Sequence, residues 1–405
     1  MSETDNTHPK LRLVDAKPLV YEGASYLLLR DPLELCDNTL LVPQPLIPVL
    51  SLCDGTRNLG TIRAAMALQY GIFLSQERLA EFVNALDNAF LLENERSQQA
   101  IAAARDEFRR SPMRAPASAG LSYPEDPQQL TALLQGYVDQ LNGSAAAGSQ
   151  AKRNSAVRGL ISPHIDYQRG GPVYAQVWNE AAQSVRDADL AIIIGTDHFS
   201  EGYDFSLTRQ SYATPYGILP TAISIVDELA EAIGADSAFA GELHHRTEHS
   251  IELAAVWMHY IRRGEPIEMV PILTGSLDET GEEKIERVLS TLRRSMQRRK
   301  AIVIAAGDLA HVGPAFGGEP VGPGRLIRLK TDDEVLIQAM CSGDWRGFIQ
   351  AIQRGLDQNN VCGAAPIYLT LRLLAPLTGQ PHGYAVCPAD ESSTSFVTIC
   401  GVTLY

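Results

Sequence analysis

The sequence predicts an α/β protein with a central, mostly parallel sheet flanked by helices, preceded by a small winged-helix-like module. Two observations carry the main prediction. Short runs rich in Val and Ile, at Ala156–Ile161, Leu190–Ile194 and Ala301–Ala306, have the continuous apolar character of parallel strands covered on both faces. These runs alternate with helical segments, the pattern that builds a parallel sheet. A third observation points to function: the runs lead into Ser162-Pro163-His164, Gly195-Thr196-Asp197-His198 and Gly307-Asp308-Leu309-Ala310-His311. Open α/β sheets bind their ligands there, outside the carboxyl ends of the strands.

Composition sets the limits of this reading. A chain of 405 residues is long for a single core and predicts two domains. A net charge of −14 argues against a phosphate-tracking surface, so no nucleic acid is expected as partner. The basic cluster Arg293, Arg294, Arg298, Arg299 and Lys300 reads as a helix end, where cations complement the dipole. Six cysteines form no CxxC pair and no dense framework, which fits a reducing cytoplasm. Met1 to Lys10 is polar and acidic, so no signal peptide is read, and no apolar run approaches the roughly 20 residues that cross a bilayer.

The first module spans about Leu27 to Glu95. Leu46–Leu52 is an apolar helical stretch ended by the turn Cys53-Asp54-Gly55-Thr56. Leu59–Tyr70 follows, with Ile62, Ala65 and Leu68 on one face. Ser75 caps a helix through Leu79, Phe82, Val83, Leu86 and Phe90, with Glu77 in its first turn. Phe90-Leu91-Leu92-Glu93 returns as a short strand, completing the winged-helix-like pattern. Glu77, Glu81 and Asp87 against Arg78 deny this helix the basic face of a DNA reader, so a peptide or protein partner is expected.

Residues 98–117 pass from an Ala-rich helix into Ser-Pro-Met-Arg-Ala-Pro-Ala-Ser, a linker composition that places the domains at 1–97 and 118–405. Pro127–Leu141 is amphipathic, with Leu130, Leu133, Leu134, Tyr137 and Leu141 on one face. The Gly-, Ser- and Ala-rich stretch Asn142–Ser155 reads as a mobile loop. Beyond it, helices are expected over Val173–Ser184, His249–Arg263, Glu282–Arg298, Asp332–Cys341 and Ala364–Leu374. Further strands are expected over Ile267–Leu273, Gly383–Cys387 and Phe396–Leu404.

His164 sits between Pro163, which fixes a turn, and Gly170-Gly171 entering a helix; a lone histidine there would more often hold a loop. His198 repeats the placement in the next βα unit, and the pair favours a ligand role. Cys362 stands at the start of an apolar helix behind Asn359 and Asn360, which can cap it; a helix amino terminus favours the thiolate. Cys341, Cys387 and Cys400 lie inside apolar segments and read as core residues. Asp308 and His311 can face one pocket, Asp308 orienting an imidazole and His311 acting as acid or base. Glu248, His249 and Glu252 read as residues around a helix start, and His244 and His245 as solvated loop residues. HExxH, Walker A, GxSxG and a full GxGxxG in strand-turn-helix context are all absent from the sequence.

Two resemblances follow from these residues. LCDGTRNLGTIRAAMALQYG with LAEFVNALDNAFLLE resembles the PqqD-like peptide-binding fold. GLISPHIDYQRGG, IIIGTDHF, TEHSIELAAVWM, VPILTG, AAGDLAHVG and NNVCG, in that order, resemble the Memo family in its long bacterial form, AmmeMemoRadiSam system protein B; SYPEDPQQLTALLQGYVDQ fits the family's opening helix. The second resemblance covers about Ser118 to Tyr405 and implies a fold similar to LigB-like class III extradiol dioxygenases. It implies an iron or copper site at His164, His198 and Cys362, with His311, Asp308 and His249 as further pocket residues and His311 in the place of the dioxygenases' general base. Those dioxygenases carry a carboxylate ligand where this chain has Cys362; thiolate is softer and favours copper(I), zinc or a differently tuned iron. Two functions stay open. One is a mononuclear metal redox enzyme acting on a small molecule or peptide. The other is a metal- and peptide-binding component of a radical SAM-associated modification system.

Overall fold

The computed structural model describes residues 7–144, 156–200, 202–277, 280–354 and 356–405. Most of the expected mobile loop, from residue 145 to Ser155, lies outside them. The chain divides into two compact units, Met1–Arg110 and Ser111–Tyr405.

The first unit opens with an antiparallel sheet of β1 (Asp15–Tyr21), β2 (Ala24–Arg30) and β3 (Leu40–Pro43). Glu22 and Gly23 join β1 to β2 with φ of 50° and 78°, the two-residue geometry that matches strand twist. The sequence reading missed these strands because β1 is almost wholly exposed and shows no alternation of apolar and polar residues. Four helices follow: α1 (Ile47–Leu52), α2 (Leu59–Tyr70), α3 (Gln76–Asn88) and α4 (Glu95–Arg110). Asn58 caps α2 by accepting from the Thr61 N–H at 2.9 Å, and Ser75 caps α3 from the Arg78 N–H at 3.2 Å. Ile62 and Met66 are the buried pair of α2, whereas Leu68, expected on the apolar face, is 87% exposed. Phe90–Glu93 forms no strand; Leu92 makes one isolated bridge to Leu11.

Helix α4 carries Glu95 in its first turn and Arg109 and Arg110 in its last, the charge order that suits the helix dipole. The Ala-rich helix expected at the start of residues 98–117 is the greater part of α4, which belongs to the first unit. Arg114, expected in the linker, is fully buried within the second unit.

The second unit is built on an eight-stranded sheet. Its elements are α5 (Pro127–Ser144), β4 (Gly159–Ser162), α6 (Tyr167–Asp187), β5 (Leu190–Thr196), β6 (Phe205–Leu207), β7 (Tyr212–Thr214), β8 (Gly217–Leu219), α7 (Ile223–Ile233), α8 (Ala235–Phe239), α9 (Ser250–Ile261), β9 (Glu268–Thr274), α10 (Glu282–Arg298), β10 (Ala301–Ala306), β11 (His311–Val312), α11 (Pro323–Ser342), α12 (Trp345–Gln353), α13 (Ala364–Leu374), β12 (Gly379–Pro388) and β13 (Phe396–Leu404). The order is β11-β13-β4-β10-β5-β9-β6, with β12 on β13. The four central strands are parallel; the strands at both sides run antiparallel to their neighbours. The strand register explains the unbroken apolar runs. Ala191, Ile193, Ile302 and Ile304 pack into one core, and Ile192, Ile194, Val303 and Ala305 into another, so both faces of the sheet are covered.

Strand β10 is inserted between β4 and β5, although it follows both in sequence. The chain thus changes direction across the sheet at these three strands, the topology that leaves a ligand crevice outside their carboxyl ends. Gly170 and Gly171, at the start of α6, are packing positions: a Cβ on Gly171 would fall 2.4 Å from the Tyr137 ring.

Candidate metal centre

The loop after β4 places His164 at the crevice. Asp166 caps α6 by accepting from the Arg169 N–H at 3.0 Å, which fixes the end of this loop. The His164 N–H donates to Asp308 Oδ1 at 2.8 Å, and its Nδ1 lies 3.1 Å from the Ala306 carbonyl. A carbonyl only accepts, so Nδ1 carries the proton and Nε2 turns into the crevice. His198, after β5, is held the same way by a different partner: its N–H and Nδ1 both reach Glu248 Oε2 at 3.0 Å. Again Nε2 is left for the crevice. Ring nitrogens locked from behind by a carbonyl or carboxylate are the usual support of a metal-binding imidazole.

Cys362 reaches the same point by a close backbone crossing. Gly363 N–H donates to the Asp308 carbonyl at 2.9 Å, and a Cβ on Gly363 would lie 2.5 Å from that oxygen. A Cβ on Gly307 would lie 2.6 Å from Gly363 Cα, so both positions must be glycine for the chains to cross. Thr196 Oγ1 donates to the Cys362 carbonyl at 2.9 Å. The crossing sets Cys362 Sγ 3.1 Å from His164 Nε2. Asn359 and Asn360 do not cap α13 as expected: Asn359 Nδ2 bonds Asp332 at 3.1 Å, and Asn360 Nδ2 bonds the His311 carbonyl at 3.1 Å. Cys362 also precedes the first turn of α13, so histidines rather than the helix terminus govern its charge.

Burial alone would raise the Cys362 thiol, but the charges of His164 and His311, with hydrogen bonds from His164 and His198, hold it well below the ordinary thiol value. Burial opposes charge on His164 too, yet Cys362 and Asp308 lift it to about 9. His198 is lifted well above its usual value against burial, chiefly by Glu248. Glu248, which burial would raise, is held far below the carboxylate range by His198 and His249. Burial raises Asp308, and His164 partly offsets it. In His311 burial opposes the charge, but Cys362, through its charge and a hydrogen bond, together with Asp308 raises the imidazole.

His249 is the first residue before α9, and its Nδ1 lies 3.2 Å from Glu248 Oε1. Its ring stacks on His198 with centroids 4.9 Å apart and planes 12° apart. Burial and the neighbouring histidines push it down to about 4, so it is a neutral donor at ordinary pH. Ligand-capable atoms of His164, His198 and His249 all lie within 4.8 Å of one another. His249, expected as a further pocket residue and not as a ligand, thus sits among the metal-capable nitrogens. His164 is buried, while His198 and His249 open to solvent, which gives the crevice an entrance. The donor set fits a transition metal: imidazoles suit iron, copper and zinc, and a thiolate shifts preference to softer ions.

His311 flanks the cluster. Its Nδ1 lies 3.3 Å from the Leu309 carbonyl, and its ring meets Phe316 edge-on at 5.0 Å. Tyr167 is buried with its hydroxyl donating to the Leu253 carbonyl at 2.7 Å, and Arg169 pairs with Asp166. A cavity of about 1160 Å³ lies at the amino-terminal end of the parallel strands beside Gln135, Glu180 and Arg263, and includes none of these histidines.

Four residues near the centre take places that their sequence context did not predict. Glu248 was visible only as part of a helix start, although its position directly before His249 was the available signal. His244 and His245, expected to be solvated, are buried. His244 Nδ1 meets Asp197 Oδ2 at 2.7 Å, and His245 lies between the Tyr212 hydroxyl at 2.6 Å and the Ser206 carbonyl at 2.9 Å. Glu252, expected as a cap, is fully buried and bonded by the Ala117 and Ser118 N–H groups, the Tyr123 hydroxyl and Arg114.

Residues 114–395 match the family model described as Memo-like protein. A MEMO1 family protein of Aquifex aeolicus is 26% identical over 76% of this chain and 77% of its own length. Those of Archaeoglobus fulgidus and Methanosarcina barkeri are 28% and 29% identical over 62% and 63% of this chain, and over 83% and 84% of their own lengths. Together with the mixed α/β sheet, the match across most of the second unit makes this chain a member of the Memo-like family.

Proposed function

We propose that the second unit holds one transition-metal ion between Nε2 of His164, Nε2 of His198 and Sγ of Cys362, with His249 as an adjacent donor. Iron(II) is the first choice, copper or zinc the alternatives. The observation that carries this reading is that both imidazoles have Nδ1 locked from behind, that His164 Nε2 lies 3.1 Å from Cys362 Sγ, and that His164, His311 and His198 together hold this thiol well below its ordinary value. A bound ion would supply Lewis-acid and redox chemistry at the solvent-facing side of the crevice. Asp308 holds the His164 backbone in place, Glu248 orients His198, and His311, the proton donor beside the thiolate, serves as acid–base group for an oxygenase-like reaction on a small molecule or peptide. Metal analysis of protein purified without oxygen tests the site: the wild type carries about one ion per chain, while His164→Ala and Cys362→Ser lose most of it. Wild-type protein without metal, or variants that match it, would refute the assignment. Oxygen uptake that does not rise with any catechol-like or phenolic compound would remove the dioxygenase version.

A second reading is favoured by the compact unit Met1–Arg110, which lies outside the family match. In it, this unit is a PqqD-like peptide- or protein-binding domain and the chain is the long bacterial form of the family, serving a radical SAM protein in a cytoplasmic modification system. Co-migration of the full chain with a purified radical SAM protein from the same organism, lost on Leu68→Asp with Phe73→Asp, supports it. Independent migration counts against it. Among the described residues, no helix is long and apolar enough to cross a membrane.

A further inference from the structure

We infer that Arg114 is a positioning residue of the metal centre, bracing the backbone that carries Glu248 and, through it, His198 and His249. The guanidinium is fully buried and each of its three nitrogens has a partner. Nε donates to the His245 carbonyl at 2.8 Å, Nη2 to the Glu248 carbonyl at 2.8 Å, and Nη1 to Glu252. The group also lies over the Tyr212 ring, 5.0 Å from its centroid. Arg114 itself is fixed as an added strand residue beside β7: its N–H donates to the Ser211 carbonyl at 2.7 Å, and its carbonyl accepts from Ala213 N–H at 2.9 Å. The strap from Arg114 to Tyr123 then closes on Glu252 through Ala117, Ser118 and Tyr123.

This geometry reaches the centre in two steps. Arg114 ties together the carbonyls of residues 245 and 248, which bound the turn before α9. The Glu248 side chain leaves that turn with Oε2 on the His198 N–H and Nδ1, and Oε1 on the Ser250 N–H at 2.9 Å and facing His249 Nδ1 at 3.2 Å. One carboxylate thus orients two candidate ligands, and its own backbone is fixed by a planar fork that lysine cannot reproduce. The ion pair with Glu252 lets this fork sit in the core, since a buried charge requires a partner.

The inference rests on the metal-binding reading for one of its two readouts. Arg114→Lys keeps the charge but cannot span both carbonyls. Arg114→Met with Glu252→Gln removes the pair together and leaves no isolated buried charge. Leu289→Ala, in the α10 core, is the control for lost stability without a change at the turn. Cobalt(II) titration of folded, metal-free protein should show the two Arg114 variants binding about 10- to 100-fold more weakly than wild type, the range found when the support of a metal-binding histidine is lost. Leu289→Ala should retain wild-type affinity. Without metal, histidine-selective NMR should show the His198 Nδ1–H proton exchanging faster in both Arg114 variants while that of His164, held by Ala306, is unchanged. Arg114 variants with lowered melting temperature but wild-type cobalt affinity and an unaltered His198 signal would overturn the inference. If wild-type protein binds no cobalt, the metal reading fails and the His198 signal decides alone: faster exchange in the variants supports the role of Arg114, and no change overturns it.

Discussion

His245 should set the acid limit of the second unit. Its imidazole is fully buried; Nε2 donates to the Ser206 carbonyl at 2.9 Å, and Nδ1 accepts from the Tyr212 hydroxyl at 2.6 Å. A second ring proton would reverse that bond and leave the Tyr212 hydroxyl proton without its acceptor, and burial with the nearby Arg114 charge pulls the imidazole down to about 3. The protonated form is therefore disfavoured in the fold. Between about pH 6.5 and 3 the unfolded chain binds a proton that the folded chain refuses, so stability is present above this window and lost as pH falls through it. At 1.36 kcal/mol per pH unit the full loss is about 5 kcal/mol, of which about 2 kcal/mol falls between pH 6.5 and 5. His245→Gln keeps a donor for the Ser206 carbonyl and cannot titrate. At pH 7.5 it should cost about 1–2 kcal/mol, the worth of the weakened hydrogen bonding. Urea denaturation of both proteins at pH 7.5, 6 and 5 measures the difference, and other titrating groups cancel in it. The gap should close near pH 5 and reverse below. A gap that stays constant from pH 7.5 to 5 refutes a neutral, proton-refusing His245.

Further outcomes follow from the same geometry. Iodoacetamide at pH 6.5 should alkylate Cys362 ahead of Cys53 and Cys387, which burial pushes up to about 12 and about 11, and peptide mapping would show an early Cys53 adduct if the thiolate is misplaced. Gly363→Ala sets a Cβ 2.5 Å from the Asp308 carbonyl, so it should cost about 1–3 kcal/mol in urea and slow Cys362 alkylation, whereas normal alkylation would mean the crossing does not position the thiol. Asp166→Ala removes the cap of α6 and should lower stability by about 1 kcal/mol; a neutral effect would show that the loop after β4 is held without it.

The central strands were legible because both their faces are buried. Leu190 to Ile194 pack alternately into two cores, which leaves the apolar run uninterrupted and the histidine after it conspicuous. Where a strand is exposed or very short the signal fades: β1 is exposed, and β6, β7 and β8 are three residues each, too short to show a period. His245 and Glu252 were misread for a different reason: both are fully buried, but a segment more than a hundred residues earlier supplies Arg114, Tyr123 and the backbone donors that meet this stretch.

The sequence by itself determined the α/β class, the strand ends that carry His164, His198 and Asp308, and the distinct character of Cys362 among the cysteines. These depend on local apolar patterning and on chemistry carried by single residues. The tertiary structure decided which of them meet, because that depends on β10 inserting between β4 and β5 and on two glycines letting distant backbones cross. It also moved His249 into the cluster, gave Glu248 the task of orienting two imidazoles, and put a buried arginine behind them. Such roles belong to pairs of residues brought together by folding, and no local pattern encodes them.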